Sequence, residues 1–335
     1  MSFQQQEIED LVNNCDGNIV ITTHHKPDGD ALGSSLGLLK YLINRGKSAV
    51  VITPTDFPNF LDWMPGRNTV KIYKGDEENC NALIADAKII FCLDFNDLKR
   101  INEMGGFVEK SSAKKVMIDH HLEPKDFADF VFHTINTSST CELVYDFIDQ
   151  NKTNNEFDAD IAACLYTGIM TDTGGFKHNS TKASTHAAAA KLIAVGADHV
   201  KISQHILDQF TLTRLKLIGY CLSEKLTILE RGKVALITLS SEELKPFDVR
   251  TGDTEGLVNY GLSVGGVELA VLIIDRTEQV KMSFRSKNRF PCNTFAKENF
   301  DGGGHFNAAG GHSEDTLENT IDKFKEKIGA YKQWL

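Results

Sequence analysis

Short apolar runs in the first 120 residues lead directly into acidic residues, and this arrangement restricts the fold more than any other feature of the chain. Residues 19–21 lead into the segment 24–30 (HHKPDGD), residues 87–93 lead into Asp94, and residues 115–118 lead into Asp119. When a strand is buried on both faces, a charged residue at its end is expected either to contact solvent or to belong to a functional site. Because the carboxyl ends of parallel strands meet in one crevice, these acidic residues are expected to lie together.

The alternation of apolar runs with helix-compatible segments predicts an α/β fold, a doubly wound and mostly parallel sheet, over residues 1–195. A polar, helix-compatible stretch over residues 196–231 predicts a helical linker. A second, smaller α/β domain is expected over residues 232–335, with a hairpin turn at residues 275–278. A chain of 335 residues is long enough for two such domains.

The residues that follow the apolar runs are of types that bind transition metal ions. The first segment supplies His24, Asp28 and Asp30, and a helical stretch later in the chain ends at Asp172. Imidazole together with carboxylates suits an ion such as Mn²⁺. Other interpretations stay open, because Pro-Asp-Gly-Asp is also a good turn, Asp94 can cap the next element, and Asp172 can close a turn. The recurrence of the same ligand types in four segments favours the metal site.

These segments resemble, in order, the four motifs of the DHH phosphoesterases. The matching positions are His24-x-x-x-Asp28-x-Asp30, Asp94, Asp119-His120-His121 and Asp172. Residues 300–310 (FDGGGHFNAAG) resemble the glycine-rich motif of the associated DHHA1 domain, and residues 283–286 (SFRS) resemble its substrate strand. The resemblance extends from about residue 15 to about residue 330. Within the family, the chain is similar to the bifunctional oligoribonuclease and 3′-phosphoadenosine-5′-phosphate phosphatase group.

The resemblance implies two divalent ions, with Mn²⁺ expected and Mg²⁺ as the alternative. Its assignment of ligands gives His24 and Asp28 to one ion, gives Asp30, His120 and Asp172 to the other, and makes Asp94 the bridge. Two such ions activate a water molecule and stabilise charge on the attacked phosphate.

The same resemblance implies roles for residues around the metal ligands and in the second domain. His121 would be a catalytic residue in contact with the scissile phosphate, and Asp119 would orient the neighbouring imidazole. The expected substrate-binding residues are Arg285, Ser286, Gly302, Gly303, Gly304, His305 and Asn307. They would hold the terminal nucleotide of a substrate in a cleft between the two domains.

The glycine run has its own physical interpretation. Consecutive glycines let backbone amides approach an anion closely, and a helix that followed them would favour negative charge at its N-terminus. The alternative is a flexible loop. The neighbouring Arg285, His305 and Asn307 supply donors suited to phosphate, which favours substrate capture.

Composition limits the class of substrate and the compartment. The formal net charge is −10, whereas proteins that grip long nucleic acid usually present a basic surface. A short oligonucleotide or a nucleoside bisphosphate is therefore the expected substrate, and long duplex nucleic acid is not. The sequence shows neither an N-terminal apolar core of a signal peptide nor an 18-residue apolar run, so no membrane association is expected. Seven cysteines, an odd number, read as reduced thiols of a cytoplasmic protein.

The resemblance implies a manganese-dependent hydrolase that degrades very short oligonucleotides to mononucleotides, dephosphorylates 3′-phosphoadenosine-5′-phosphate, or does both. Three alternatives remain: a phosphodiesterase for linear dinucleotides from cyclic dinucleotide turnover, an inorganic pyrophosphatase, and a catalytically silent nucleotide sensor. The glycine-rich motif disfavours the pyrophosphatase, which has another type of C-terminal domain. The presence of each expected metal ligand disfavours the silent sensor. The oligomeric state stays open, with a homodimer among the alternatives.

Overall fold

The computed structural model describes residues 3–151, 156–208, 210–249 and 252–335. Its Cα positions divide the chain into two compact units, residues 1–209 and residues 210–335.

The first unit is built on a six-stranded sheet in which each pair of neighbouring strands is parallel. Its strands are β1 (Ile19–Thr23), β2 (Ala49–Thr53), β3 (Lys71–Ile72), β4 (Ile89–Leu93), β5 (Lys114–Asp119) and β6 (Phe130–His133). The spatial order is β3-β2-β1-β4-β5-β6, so the order reverses between β1 and β4. This arrangement confirms the predicted doubly wound α/β fold and makes the carboxyl ends of β1 and β4 the place where a ligand site is expected.

The helices of the first unit are α1 (Phe3–Asn13), α2 (Gly29–Asn44), α3 (Glu77–Asp86), α4 (Met104–Lys110), α5 (Thr140–Asn151), α6 (Ala159–Asp172), α7 (Ala183–Val195) and α8 (His199–Leu207). Side chains alternate between the two faces of the sheet and so enter two separate apolar clusters. Ile19 and Ile21 pack with α2, α5 and α6, whereas Val20 packs on the opposite face with α3 and α4. Burial on both faces explains why three consecutive residues of β1, Ile19 to Ile21, are apolar, and each of its five positions is buried.

Helix α2, which follows the first acidic segment, has no solvent-exposed face along most of its length. It is buried around almost its entire circumference from Gly29 to Leu42, with Lys40 as the exception in that range. Two buried serines satisfy their hydroxyls within the helix, since Ser34 donates to the Asp30 carbonyl and Ser35 to the Ala31 carbonyl. The helix lies between the sheet and α6, which explains why it carries no polar face along this length.

The second unit contains a mixed six-stranded sheet in the order β11-β12-β10-β9-β8-β7. Its strands are β7 (Leu226–Leu229), β8 (Val234–Leu239), β9 (Leu269–Asp275), β10 (Val280–Ser286), β11 (Gly303–His305) and β12 (Ala308–Ser313). Strands β8 and β9 are parallel, and the other pairs are antiparallel. The helices are α9 (Leu212–Tyr220), α10 (Ser241–Leu244), α11 (Leu257–Leu262), α12 (Cys292–Asn299) and α13 (Leu317–Ile328).

The stretch predicted as a helical linker, residues 196–231, is helical only in part. It contains α8 and α9, and residue 209 between them lies outside the described residues. Its last residues form β7, which pairs with β8 and belongs to the second sheet. The apolar alternation of Leu226, Ile228 and Leu229 is too short to identify a strand before its partner is known.

Two further features concern the helices and the thiols. Among the helices of the described residues, none combines the length and the apolar character that spanning a bilayer requires. The seven cysteines are unpaired thiols, and burial raises the pKa of Cys92 to about 12, so this residue is a core side chain and not a nucleophile.

Candidate metal centre

The predicted ligands of the first unit converge at the carboxyl ends of its central strands. His24 follows β1, Asp94 follows β4, His120 follows β5, and Asp172 is the last residue of α6. His24 Nε2 lies 3.4 Å from Asp94 Oδ2, and His120 Nε2 lies 3.5 Å from Asp94 Oδ1. Asp94 thus presents each of its two carboxylate oxygens to a different imidazole.

Among the groups of side chains whose spacing would allow them to share one ion, two match the ligand sets expected from the sequence. His24, Asp28 and Asp94 form the first group, and Asp30, His120 and Asp172 form the second, with the ligand atoms of each group within 4.8 Å of one another. His120 Nε2 lies 3.8 Å from Asp30 Oδ2 and 3.7 Å from Asp172 Oδ2.

These nitrogen–oxygen separations exceed the usual length of a hydrogen bond, which is about 2.7–3.2 Å. They are closer to the spacing of ligands around a metal ion. Two ligands that each lie about 2.1 Å from an ion stand about 3.0 Å apart in an octahedron and about 3.4 Å apart in a tetrahedron. Buried nitrogen and carboxylate donors at this spacing fit a divalent cation.

Local hydrogen bonds orient the first group of ligands. The Nδ1 atom of His24 lies 2.9 Å from the carbonyl oxygen of His25, and a carbonyl can only accept. Nδ1 therefore carries the proton of the neutral ring, and Nε2 is the nitrogen available to a metal ion. Asp28 uses Oδ1 to accept from the amides of Asp30 and Ala31 at the start of α2, while its Oδ2 faces His24 at 3.9 Å.

Asp119 holds His121 with both of its carboxylate oxygens. Its Oδ2 accepts from the His121 amide at 3.1 Å, and its Oδ1 lies 2.7 Å from His121 Nδ1. Asp119 is fully buried, so it contacts the imidazole of His121 from inside the fold. The predicted orienting role of Asp119 thus has a geometric basis at His121, whose Nδ1 also lies 3.8 Å from Asp94.

The electrostatics of the cluster separate Asp94 from the other acids. Burial acts to raise the pKa of Asp94, but His120 and His24 hold it well below its usual range. By contrast, burial and the Asp94 and Asp172 carboxylates raise the pKa of Asp30 well above its usual range. Burial also raises the pKa of Asp172 to about 7. The surroundings of Asp94 therefore favour its ionised form, whereas those of Asp30 and Asp172 oppose it.

The two histidines of the cluster are affected in the opposite way. Burial acts to lower the pKa of His24, but the Asp94 and Asp28 carboxylates outweigh it and raise the pKa to about 9. For His120 the carboxylates of Asp94 and Asp172 likewise outweigh burial and raise the pKa to about 10. Binding of a divalent ion at these rings would have to displace protons, because only neutral imidazole is a ligand.

The first turn of α5 supports two of the acids from behind. The amides of Thr140 and Cys141 donate to Oδ2 and Oδ1 of Asp30, each at 2.8 Å. The hydroxyl of Thr140 donates to Oδ1 of Asp94 at 2.9 Å. Helix α6 approaches the same place closely, since a Cβ atom on Gly168 would lie 2.9 Å from Asp30 Oδ1. The hydrogen bonds from α5 restrict the orientation of the Asp30 and Asp94 carboxylates, and the close approach of α6 restricts Asp30 further.

The candidate substrate-binding residues of the second unit lie on and beside β10, β11 and β12. Arg285 is on β10 beside Ala308 of β12, and its Nη1 donates to the Phe284 carbonyl at 2.9 Å. The buried Ser286 hydroxyl donates to the Phe290 carbonyl and accepts from Asn307 Nδ2 at 2.9 Å. The side chains of Ser286 and Asn307 are therefore joined by a hydrogen bond, and Arg285 precedes Ser286 on the same strand.

The glycine run forms a β-hairpin, and the predicted helix after it is wrong. Gly303 to His305 is strand β11, and it turns directly into β12. The tight crossing explains two of the three glycines, because a Cβ on Gly302 would collide with the Gly310 carbonyl and one on Gly304 would lie 2.6 Å from the Ala308 carbonyl. Gly303 has open space around its Cβ position, so packing does not require glycine there.

Comparison with known proteins identifies the family of the chain. Residues 18–169 match the model of the DHH family, N-terminal domain, and residues 232–333 match the model of the DHHA1 domain. A probable bifunctional oligoribonuclease and PAP phosphatase NrnA of Streptococcus mutans is 30% identical over 90% of this chain and 91% of its own length. The chain belongs to the DHH family. The bifunctional oligoribonuclease and PAP phosphatase NrnA of Thermus thermophilus is 30% identical over 90% of this chain and 86% of its own length.

A solved structure extends this result to the whole DHH–DHHA1 chain. An exopolyphosphatase-related protein from Bacteroides fragilis superposes with a TM-score of 0.95 at 40% sequence identity. The match covers 98% of this chain and 96% of the other. The family and the two-domain α/β fold expected from the sequence motifs are confirmed.

The motifs identify the acids and imidazoles of this DHH protein, but not the groups that hold them. The contacts of Thr140 and Cys141 with Asp30 and Asp94 were missed, because 110 and 46 positions separate Thr140 from these acids. The residues Ser139-x-x-Glu142 do carry a capping-box pattern that marks the start of a helix. The pattern locates the N-terminus of α5 without indicating which carboxylates it faces.

Proposed function

We propose that this DHH-family phosphoesterase is a manganese-dependent, dimetal phosphohydrolase of very small nucleotides. Its reactions would be the degradation of short oligonucleotides to mononucleotides and the dephosphorylation of 3′-phosphoadenosine-5′-phosphate. The names of the two NrnA relatives, which match about nine-tenths of the chain, support this substrate class.

The observation that carries the proposal is the buried carboxylate of Asp94 between His24 and His120. A carboxylate with one oxygen toward each imidazole is suited to bridge two cations, and Asp94 is 2% exposed. We assign His24, Asp28 and Asp94 to the first ion and Asp94, Asp30, His120 and Asp172 to the second. The bound ions would supply a nucleophilic water and charge stabilisation at the attacked phosphate.

The remaining residues of the site would position the phosphate. Because Asp119 holds Nδ1 of His121 at 2.7 Å, we assign Nε2 of His121 to an oxygen of the scissile phosphate. With Nδ1 engaged by Asp119, Nε2 is the ring nitrogen left to contact that oxygen. Helices α2 and α6 and the strand ends exclude water from the ligands behind the phosphate, since Asp30 and His120 are at most 8% exposed.

The second unit would bind the terminal nucleotide of the substrate. Arg285 and His305 supply a guanidinium and an imidazole for an anionic group, and Ser286 and Asn307 supply a hydroxyl and an amide. The exposed strand β11 lies at the edge of its sheet and would add a backbone N–H from its unpaired side. These donors suit a single nucleotide with its terminal phosphate better than a long strand, in agreement with the formal charge of −10.

Inorganic polyphosphate is a second candidate substrate. The solved relative at 40% identity is described as exopolyphosphatase-related. A dimetal phosphohydrolase could attack a terminal phosphoanhydride as well as a phosphodiester.

A turnover assay on defined substrates tests these alternatives. We expect substrates of about two to five nucleotides to be converted to mononucleotides faster than a single strand of about 20 nucleotides, because no extended basic track is evident in the sequence. Chromatography would follow the products in Mn²⁺ and in Mg²⁺, with 3′-phosphoadenosine-5′-phosphate, cyclic dinucleotides, polyphosphate and pyrophosphate in parallel. Equal kcat/KM on the short and long substrates would contradict the proposal, and the Asp94→Asn protein controls for contaminating nucleases.

A further inference from the structure

We infer that Thr140 is a positioning residue that fixes the two acids Asp30 and Asp94 relative to each other. The inference deepens the proposed function, on which it rests, because its purpose would be to set the geometry of the metal ligands. Thr140 is not a member of either of the two groups of candidate metal-binding side chains. It acts through contacts with ligands that come from separate elements of the fold, α2 and the end of β4.

The first contact is the side-chain hydroxyl of Thr140. It donates to Oδ1 of Asp94 at 2.9 Å, and this is the same oxygen that faces His120 at 3.5 Å. Thr140 is fully buried and Asp94 is 2% exposed, so bulk water does not replace the hydroxyl as a donor. A carboxylate oxygen has two lone-pair directions, and a hydrogen bond in one of them fixes the direction of the other.

The second contact is the backbone of the same residue. The Thr140 amide donates to Oδ2 of Asp30 at 2.8 Å, while the next amide, that of Cys141, donates to Oδ1 at the same distance. Both oxygens of Asp30 are therefore aligned along the first turn of α5, where the helix dipole also favours a negative charge. One residue thus connects Asp30 and Asp94 through two short hydrogen bonds.

The turn that carries Thr140 is itself immobilised by a buried acid. The Oε2 atom of Glu142 accepts from the amide and hydroxyl of Ser138 at 2.9 and 2.6 Å, and from the hydroxyl of Thr185 at 2.9 Å. The Ser139 hydroxyl accepts from the Glu142 amide at 3.0 Å. These bonds lock the start of α5 on both sides of Thr140, as a group that positions other residues requires.

The backbone of Asp94 gives a reason why such a support is needed. Asp94 has a φ of +62°, in the left-handed region that most residues other than glycine avoid. Its amide donates to the Ile118 carbonyl at 3.1 Å, which ties its main chain to β5. A strained backbone persists where surrounding contacts determine it, and the Thr140 hydroxyl is the contact that fixes the side chain.

The test is the Thr140→Val substitution, which removes the hydroxyl and keeps the amide that binds Asp30. We expect calorimetric titration with Mn²⁺ to show an affinity about 10- to 100-fold weaker for at least one ion, as for other residues that orient metal ligands. With a dinucleotide as substrate, kcat should fall while KM changes little, because Thr140 would not touch the substrate. Thr140→Ser restores the hydroxyl and should restore both the affinity and kcat.

Thr167→Val is the matched control. Thr167 is also fully buried, but its hydroxyl donates to the Ala163 carbonyl of its own helix at 2.7 Å. Mn²⁺ affinity that is unchanged in Thr140→Val, or lowered equally in Thr167→Val, would overturn the inference. A wild-type protein that binds no Mn²⁺ would overturn both this inference and the dimetal function. Wild-type Mn²⁺ binding without turnover of nucleotides would contradict the function alone.

Discussion

The candidate metal ligands of the first unit and the candidate binding residues of the second are held by the fold in different ways. Asp30 and Asp94 are 1% and 2% exposed, and they accept hydrogen bonds from a helix N-terminus and a buried hydroxyl. In the second unit Gly303 and Gly304 are exposed, and Arg285 is half-buried at the surface of a sheet. Asp30 and Asp94 are thus embedded in the core of their unit, whereas Gly303 and Gly304 lie on an exposed hairpin and Arg285 lies on β10, the strand that pairs with it.

The difference follows from the cost of burying charge. A carboxylate removed from water must be compensated by hydrogen bonds or cations, so the surroundings of Asp30 and Asp94 are fixed at several points. The residues of the hairpin keep contact with water, and the fold needs fewer contacts to tolerate them. Substitutions in the first group should therefore abolish chemistry, whereas those in the second should weaken binding in steps.

The largest effect is expected from Asp94→Asn. Asparagine keeps the size of the side chain and tolerates the left-handed backbone of this position, but it lacks the charge that would bridge two cations. Turnover of a dinucleotide in Mn²⁺ should fall by more than about a thousandfold, since the ions supply several kcal/mol of stabilisation. Chromatographic product analysis would measure the loss of turnover, and a Mn²⁺ titration would measure the loss of metal binding.

Asp97→Asn is the control for this substitution. Asp97 lies in the same loop after β4, but its carboxylate accepts from the Lys99 amide and caps the turn that follows. The Asp97→Asn protein should retain turnover close to that of the wild type. An Asp94→Asn protein with near wild-type turnover would show that Asp94 does not bridge two ions. It would also contradict the expectation that substitutions of the buried acids abolish chemistry.

A smaller effect is expected from Arg285→Ala. If the guanidinium binds the terminal nucleotide, its loss should lower kcat/KM for a dinucleotide by about ten- to a hundredfold, the value of a charge-assisted hydrogen bond. The Mn²⁺ titration should be unchanged, because Arg285 belongs to the second unit and to neither ligand group. Activity on bis-p-nitrophenyl phosphate should fall less, since this small ester has no terminal nucleotide to bind. His305→Ala should behave in the same way.

Lys281→Ala on the same strand is the control for a general loss of positive charge. Lys281 lies four residues before Arg285 and pairs with the far end of β12. If the dinucleotide and the small ester lost activity equally in Arg285→Ala, the residue would support the fold and not the substrate. Equal losses in Arg285→Ala and Lys281→Ala would indicate a general effect of charge.

The sequence predicts those parts of the site that lie at the ends of regular elements. His24, Asp94 and Asp119 could be placed together because each lies at or directly after the end of a strand of a parallel sheet, and the topology brings those ends to one edge. Thr140 could not be placed, because its contacts depend on how the N-terminus of α5 packs against α2 and β4. Such packing is set by tertiary contacts that leave no periodic signal in the chain.

The same limit explains the two errors of local structure. The glycine run was expected to precede a helix, but Gly303, Gly304 and His305 pair with β12 instead. Strand β7 was hidden in the predicted linker, because a strand of four residues becomes recognisable only through its pairing with β8. In both cases the strand is recognised by its partner in the sheet, and local composition does not indicate which strand that partner is.

The smallest effect is expected from Gly303→Ala, which tests whether the hairpin itself contacts the substrate. The Cβ position of Gly303 is open, so stability should change by less than about 0.5 kcal/mol. If the Gly303 amide approaches a phosphate, the added methyl group should block that approach and lower kcat/KM for a dinucleotide about two- to tenfold, the value of one neutral hydrogen bond. Gly302→Ala is the contrasting variant, because its methyl group would collide with the Gly310 carbonyl and destabilise the unit by about 1–3 kcal/mol. Thermal melts and kinetics would separate the two variants. Wild-type kcat/KM in a stable Gly303→Ala protein would remove this strand from the binding site and leave only the side chains of the second unit to capture the nucleotide.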